Sequence, residues 1–89
     1  MRLEALAMGR VQGVGFRFFA SQKAKKLGLK GFVKNVPDGS VEIVAEGKKS
    51  DLEKFLEELR KGTGLSRVES IKADWSKSVN EFTKFEVRH

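Results

Sequence analysis

A hairpin set between two helix-period segments leaves this chain few ways to fold. The run SVEIVAEG places Val41, Ile43 and Ala45 on one face and Glu42 and Glu46 on the other, the two-residue period of a half-buried strand. Before it, Pro37-Asp38-Gly39 is a turn by composition, and residues 29–36 (LKGFVKNV) form the partner strand. Upstream of the hairpin, Phe16, Phe19, Ala20 and Leu27 keep helical spacing, while Gln22, Lys23, Lys25 and Lys26 supply the wet face. Gly28 then stops that helix. Downstream, Ser50-Asp51-Leu52-Glu53 has the form of a capping box. Leu52, Phe55, Leu56 and Leu59 follow at i, i+3, i+4, i+7 spacing, and Arg60, Lys61 and Gly62 close the second helix.

Strands complete the pattern at both ends. Residues 2–8 (RLEALAM) read as a strand by position more than by alternation. After a loop from Thr63 to Ser66, residues 67–75 put Ile71, Ala73 and Trp75 on one face, and residues 82–88 put Phe85 and Val87 on one side of a last strand. The order is β-α-β-β-α-β with an extra terminal strand. It predicts an α+β, ferredoxin-like split βαβ sandwich, an antiparallel sheet with both helices on one face. At 89 residues, one core is all the chain can build, so residues 1–89 are expected to form one domain. This architecture hosts many activities, so function has to come from a site.

Composition removes several chemistries. Cysteine is absent and the single histidine is His89, which excludes a thiol nucleophile and a cysteine zinc site and speaks against a Ser-His triad or a histidine metal centre. No apolar run approaches the roughly 18 residues of a membrane span, and Met1-Arg2-Leu3-Glu4 is charged where a signal peptide would be apolar. A cytoplasmic protein without membrane association is expected. The net charge of +6, from 18 Lys and Arg against 12 Asp and Glu, suits an anionic partner and equally suits a solvated mixed-charge surface. Arg10 and Lys34 belong to that ambiguity as anion-steering or plain surface charges.

Between the first strand and the first helix lies Gly9 to Gly15, and with Phe16 and Arg17 it reads GRVQGVGFR. It is neither of the common nucleotide loops: Val14 stands where a P-loop needs its second glycine, and Phe18 where the dinucleotide fingerprint needs its third. A strand–glycine loop–helix junction nevertheless turns successive backbone amides inward as an anion-binding nest, and the helix N-terminus adds its positive end. The amides of Val11, Gln12, Gly13, Val14, Gly15 and Phe16 are the candidates. Arg17 falls in the first helical turn, where the dipole disfavours a cation; a bound anion would compensate, gripped by the guanidinium fork.

GRVQGVGFR resembles the signature of the acylphosphatases, Gly-x-Val-Gln-Gly-Val-x-Phe-Arg. A second family motif follows in order: Gly31-Phe32-Val33-Lys34-Asn35, three residues, Gly39, one residue, Val41, five residues, Gly47. The resemblance implies a ferredoxin-like fold and hydrolysis of carboxyl–phosphate anhydrides with no metal and no cofactor, and it maps the catalytic arginine and asparagine onto Arg17 and Asn35. The implied partners are a small acylphosphate as substrate and inorganic phosphate as product and inhibitor, and a monomer is expected.

The residues suit that chemistry. A carboxylate leaving group is stable as an anion, its acid having a pKa of about 4, so no general acid is required. A loose phosphoryl-transfer transition state asks little of a base. Charge on the phosphoryl oxygens falls to the amides and Arg17, and positioning of the water to the Asn35 carboxamide, whose oxygen accepts and whose NH₂ donates. Ser21 lacks a base and reads as helical. Trp75, Phe82 and Phe85 read as core or sheet-face residues, and His89 as a frayed end whose carboxylate could pair with an arginine. The rival class is an RNA-binding module of the same element order, since Lys30-Gly31-Phe32-Val33 resembles part of its basic-Gly-aromatic motif. Here that run is on the second strand, and Lys34 follows instead of an aromatic, so the stacking pair is missing.

Overall fold

The computed structural model describes residues Met1–His89 as two helices on a five-stranded sheet. In chain order the elements are β1 (Arg2–Arg10), α1 (Phe16–Lys26), β2 (Lys30–Asn35), β3 (Val41–Glu46), α2 (Lys49–Lys61), β4 (Arg67–Ser76) and β5 (Phe85–Arg88). The sheet order is β4-β1-β3-β2-β5. The expected ferredoxin-like arrangement is therefore present over the first four strands, all joined antiparallel. The sheet as a whole is mixed, because β5 pairs parallel to β2, with Gly31 opposite Phe85 and Val33 opposite Val87. The reason is the route of the chain: it leaves β4 at one edge and reaches the opposite edge by a long connection, not a hairpin.

Alternation in β1, ambiguous in sequence, is resolved by burial. Leu3, Ala5 and Ala7 lie in the core, facing α1 and α2, while Leu6 and Met8 are half-buried on the open face. Small residues in β1 let Phe16 of α1 and Phe55 of α2 pack close to the sheet, together with Val41, Ile43 and Ala45 of β3 and Val33 of β2. Phe85 closes this core edge-on to Phe55, with ring centroids 6.0 Å apart. Trp75 shares a face with Ile71 and Ala73 as expected, but β4 is an edge strand, and the indole is 38% exposed beside Leu56 and Arg60 of α2.

Three local expectations are corrected. Helix α2 begins at Lys49, with Lys48 at the N-cap and no side-chain cap. The link from β3 is only Gly47-Lys48, so the chain enters the helix too early for Ser50 to cap it. Strand β1 runs on through Gly9 and Arg10, with a register irregularity at Met8/Gly9 against β4. The loop therefore starts at Val11. Phe82 lies outside β5 and packs against Phe32 on the open face, their centroids 5.9 Å apart. The connection that carries it is pinned by Glu46, whose carboxylate accepts from the Ser78 hydroxyl (2.9 Å), the Val79 N–H (3.0 Å) and Arg2 Nη1 (3.0 Å). Burial acts against the Glu46 charge, but these donors outweigh it and hold its pKa below the ordinary value of 4.5. Arg2 in turn reaches Glu4 and Glu81 as well as Glu46.

Candidate active site

Where β1 ends, the chain makes a glycine-rich turn into α1. Gly13 (φ 73°) and Gly15 (φ 77°) both sit in the left-handed region. A Cβ on either would meet nothing within 4 Å, so these two positions require glycine for backbone conformation and not for space. Gly15 is also the N-cap of α1 and supplies no side-chain cap; the first helical bond is Phe19 N–H to the Gly15 carbonyl, 3.0 Å. The N–H groups of Gln12, Gly13, Val14 and Gly15 have no backbone acceptor in the chain. Unpaired donors on a loop that runs into a helix N-terminus form a cradle for a negatively charged group. The Val11 N–H differs from the other candidate amides, since it donates to the Gly9 carbonyl at 3.1 Å. Its side chain instead forms the buried floor.

Two side chains hold this loop in place, and neither role was visible from local pattern. Gln12 Nε2 donates to the carbonyls of Val36 and Ser40, both at 2.7 Å. It thus ties the cradle to the β2–β3 turn directly beside Asn35. That turn is itself set by Asp38, whose carboxylate accepts from the Ser40 hydroxyl (2.6 Å) and N–H (2.9 Å). The hydroxyl first, then the N–H, hold the Asp38 pKa below its ordinary value. On the other side, Thr63 of the α2–β4 loop donates its hydroxyl to the Val14 carbonyl at 3.2 Å.

The resulting cleft, about 400 Å³, is lined by Val11, Gly13, Gly15, Phe16, Arg17, Phe18, Asn35, Val87 and His89. It brings Arg17 and Asn35 together with the cradle glycines and Phe16. Gln12 and Val14 stand behind the lining, and Arg10 and Lys34 do not border it. Arg17 Nη1 donates to the Arg88 carbonyl at 2.9 Å and lies 3.3 Å from His89 Nδ1. His89 is thus part of the cleft and not a frayed end. Anchoring one amino group leaves Nε and Nη2 of Arg17 free for a ligand, and the Arg88 carbonyl supplies part of the negative counterpart that the helix dipole withholds. The strand end providing that carbonyl is steadied by the Arg88 guanidinium, which stacks 4.0 Å over Phe32 and pairs with Glu86 at 3.2 Å. Asn35 ends β2, and its Oδ1 is buried with no hydrogen-bond donor in the chain. No group of three His, Asp or Glu side chains is arranged so that it could hold a metal ion, and no helix is long and apolar enough to cross a membrane.

The family model for acylphosphatases matches residues 3–87, almost the whole chain. The chain belongs to the acylphosphatase family. It is an enzyme of the hydrolase class, and comparison with other acylphosphatases agrees. The chain is 55% identical over 78 residues to the acylphosphatase of Thermus thermophilus, covering 88% of this chain and 89% of that one. It is 46% identical over 88 residues to the acylphosphatase of Mycobacterium sp. strain KMS, covering 99% and 94%. Among solved structures, the Bacillus subtilis acylphosphatase superposes with a TM-score of 0.96 at 40% identity, covering 99% of this chain and 98% of that one. The acylphosphatase of Coxiella burnetii gives 0.90 at 33% identity, covering 98% and 90%.

Proposed function

We propose that this acylphosphatase hydrolyses the carboxyl–phosphate bond of small acylphosphates to a carboxylate and inorganic phosphate without a metal ion, using Arg17 to bind the phosphate and Asn35 to position the attacking water. The observation that carries the proposal is the convergence of an unpaired amide cradle, a tethered arginine and an asparagine on one cleft. No Asp or Glu side chain borders the cleft, and its amide and guanidinium donors suit an anion and offer little to a divalent cation.

In the reaction the phosphate enters the cradle with its oxygens toward the amides of Gln12 to Gly15, the first turn of α1 and the free edge of Arg17. Water attacks phosphorus, the new P–O bond forms, and the bond to the acyl oxygen breaks. The carboxylate departs as an anion without protonation, and both protons of the water end on the phosphate. Negative charge on the equatorial oxygens is met by fixed donors that need no reorganisation. Asn35 Oδ1 has no competing donor in the protein. A half-turn of the carboxamide about χ2 therefore breaks no hydrogen bond at Oδ1 and presents the oxygen to a water in the cleft. The chain is proposed to act as a single-domain monomer in the cytoplasm, with inorganic phosphate as a competitive inhibitor of the same cradle.

Hydrolysis of benzoyl phosphate by wild type, Arg17→Ala and Asn35→Ala tests the assignment. Arg17→Ala should raise KM, raise the phosphate inhibition constant and lower kcat, the combined loss in kcat/KM being about a hundredfold or more. Asn35→Ala should chiefly lower kcat. Full activity of Asn35→Ala would remove the water-positioning role, and loss of wild-type activity on chelation would overturn the metal-free reading.

A further inference from the structure

Phe18 is the one large apolar residue of α1 with no part in the core. Phe16 is buried, Phe19 packs against it with centroids 6.2 Å apart, and Ala20 continues the same buried face. One residue advances a helix by about 100°, so Phe18 points away from that face. It is 65% exposed and borders the cleft next to Arg17. Val87, half-buried at the end of β5, borders it too. The cleft therefore has two kinds of wall, one of amide and guanidinium donors and one of apolar surface.

An acylphosphate has the same two-part character: a charged phosphoryl group joined through one bridging oxygen to an acyl group. With phosphate in the cradle, an outward-directed acyl group meets the adjacent apolar rim. We propose that Phe18, with Val87, is the acyl-group subsite, and that it selects acylphosphates with apolar acyl groups of about aromatic size over those with small or polar ones. This rests on the acylphosphate reading above. A planar acyl group gains an offset-stacked or edge contact with the Phe18 ring, whereas acetyl offers a single methyl and carbamoyl offers only polar atoms. An isolated exposed phenylalanine would need no explanation; its place on the cleft rim, beside Arg17 and across from no packing partner, is what gives this one a function.

The test is the ratio of kcat/KM for benzoyl phosphate to that for acetyl phosphate, measured in wild type, Phe18→Ala and Phe18→Trp. Intrinsic reactivity of the two substrates and general damage to the site cancel when the ratio is compared between variants. Loss of one ring face of apolar contact should lower the ratio by about fivefold to tenfold in Phe18→Ala, and Phe18→Trp should keep it within about twofold of wild type. Carbamoyl phosphate should follow acetyl phosphate in all three proteins. A ratio unchanged in Phe18→Ala overturns the subsite, as does an equal fall for both substrates, which would mark Phe18 as a helix-start residue only. Failure of the wild type to hydrolyse either substrate would instead refute the underlying reaction.

Discussion

Replacing Gln12 separates two roles of the loop, because the side chain supports the cradle while its own amide forms part of it. Both hydrogens of Gln12 Nε2 are used, one on the Val36 carbonyl and one on the Ser40 carbonyl, each at 2.7 Å. Each carbonyl also keeps a backbone donor: Gly39 N–H reaches the Val36 oxygen at 3.0 Å, and Val36 N–H reaches the Ser40 oxygen at 2.9 Å. Gln12→Met therefore removes two hydrogen bonds without leaving either oxygen wholly unpaired. The cost should be near the ordinary value of about 1 kcal/mol per bond, or about 2 kcal/mol in total. For a domain of this size that lowers Tm by roughly 8–16 °C. Gln12→Glu keeps the shape but should be worse at pH 7, because an ionised carboxylate only accepts and would face two acceptors. Its deficit should shrink as pH falls toward about 4, because facing two acceptors raises the carboxyl's folded pKa and the protonated group then donates once. Urea denaturation of the three proteins at pH 7 and pH 4 measures this directly. With the turn beside Asn35 released, kcat for benzoyl phosphate should fall more than KM rises. The reasoning is wrong if Gln12→Met lies within about 0.5 kcal/mol of wild type, or if Gln12→Glu matches Gln12→Met at pH 7.

Two further perturbations probe the ends of the sheet. The Glu46 pKa is lowered by folding from the ordinary value of 4.5, so its contribution to stability is complete at pH values above that value. It is lost as pH falls through the folded value. Glu46→Gln should be less stable than wild type at pH 7, and the gap should narrow on acidification below pH 4.5; parallel pH–stability curves would contradict this. His89→Ala should raise KM by no more than about fivefold, because it removes one contact of about 1 kcal/mol or less while the Arg88 carbonyl still holds Arg17. A KM increase above tenfold would mean that His89 itself, and not the strand backbone, sets the arginine.

Much of this protein was legible in its residues because the relevant physics is local. Alternation in residues 41–46 and the i, i+3, i+4, i+7 pattern of α2 depend only on which side of an element meets the core. Gly13 and Gly15 declare a backbone that other residues would resist. The motif resemblance placed Arg17 and Asn35 as candidates, and the fold puts both on one cleft. Other features depended on partners far away in the chain. Ser50 fails as a cap because β3 and α2 are too closely joined, a matter of where the sheet ends and not of capping chemistry. Glu46, on the polar side of an alternating strand, is only 6% exposed because the connection to β5 closes over it. The parallel placement of β5 follows from that same connection crossing the sheet. His89 and Arg88 reach Arg17 only because β5 lies beside β2 at the edge nearest α1. Sequence alone determined the order of elements, the inward faces of β3 and α2 and the glycine turn, since each is set by interactions within a few residues. The tertiary structure decided what holds Arg17, what ties the cradle to Asn35 and which apolar ring meets the cleft, since each is a contact between segments that only the folded sheet brings together.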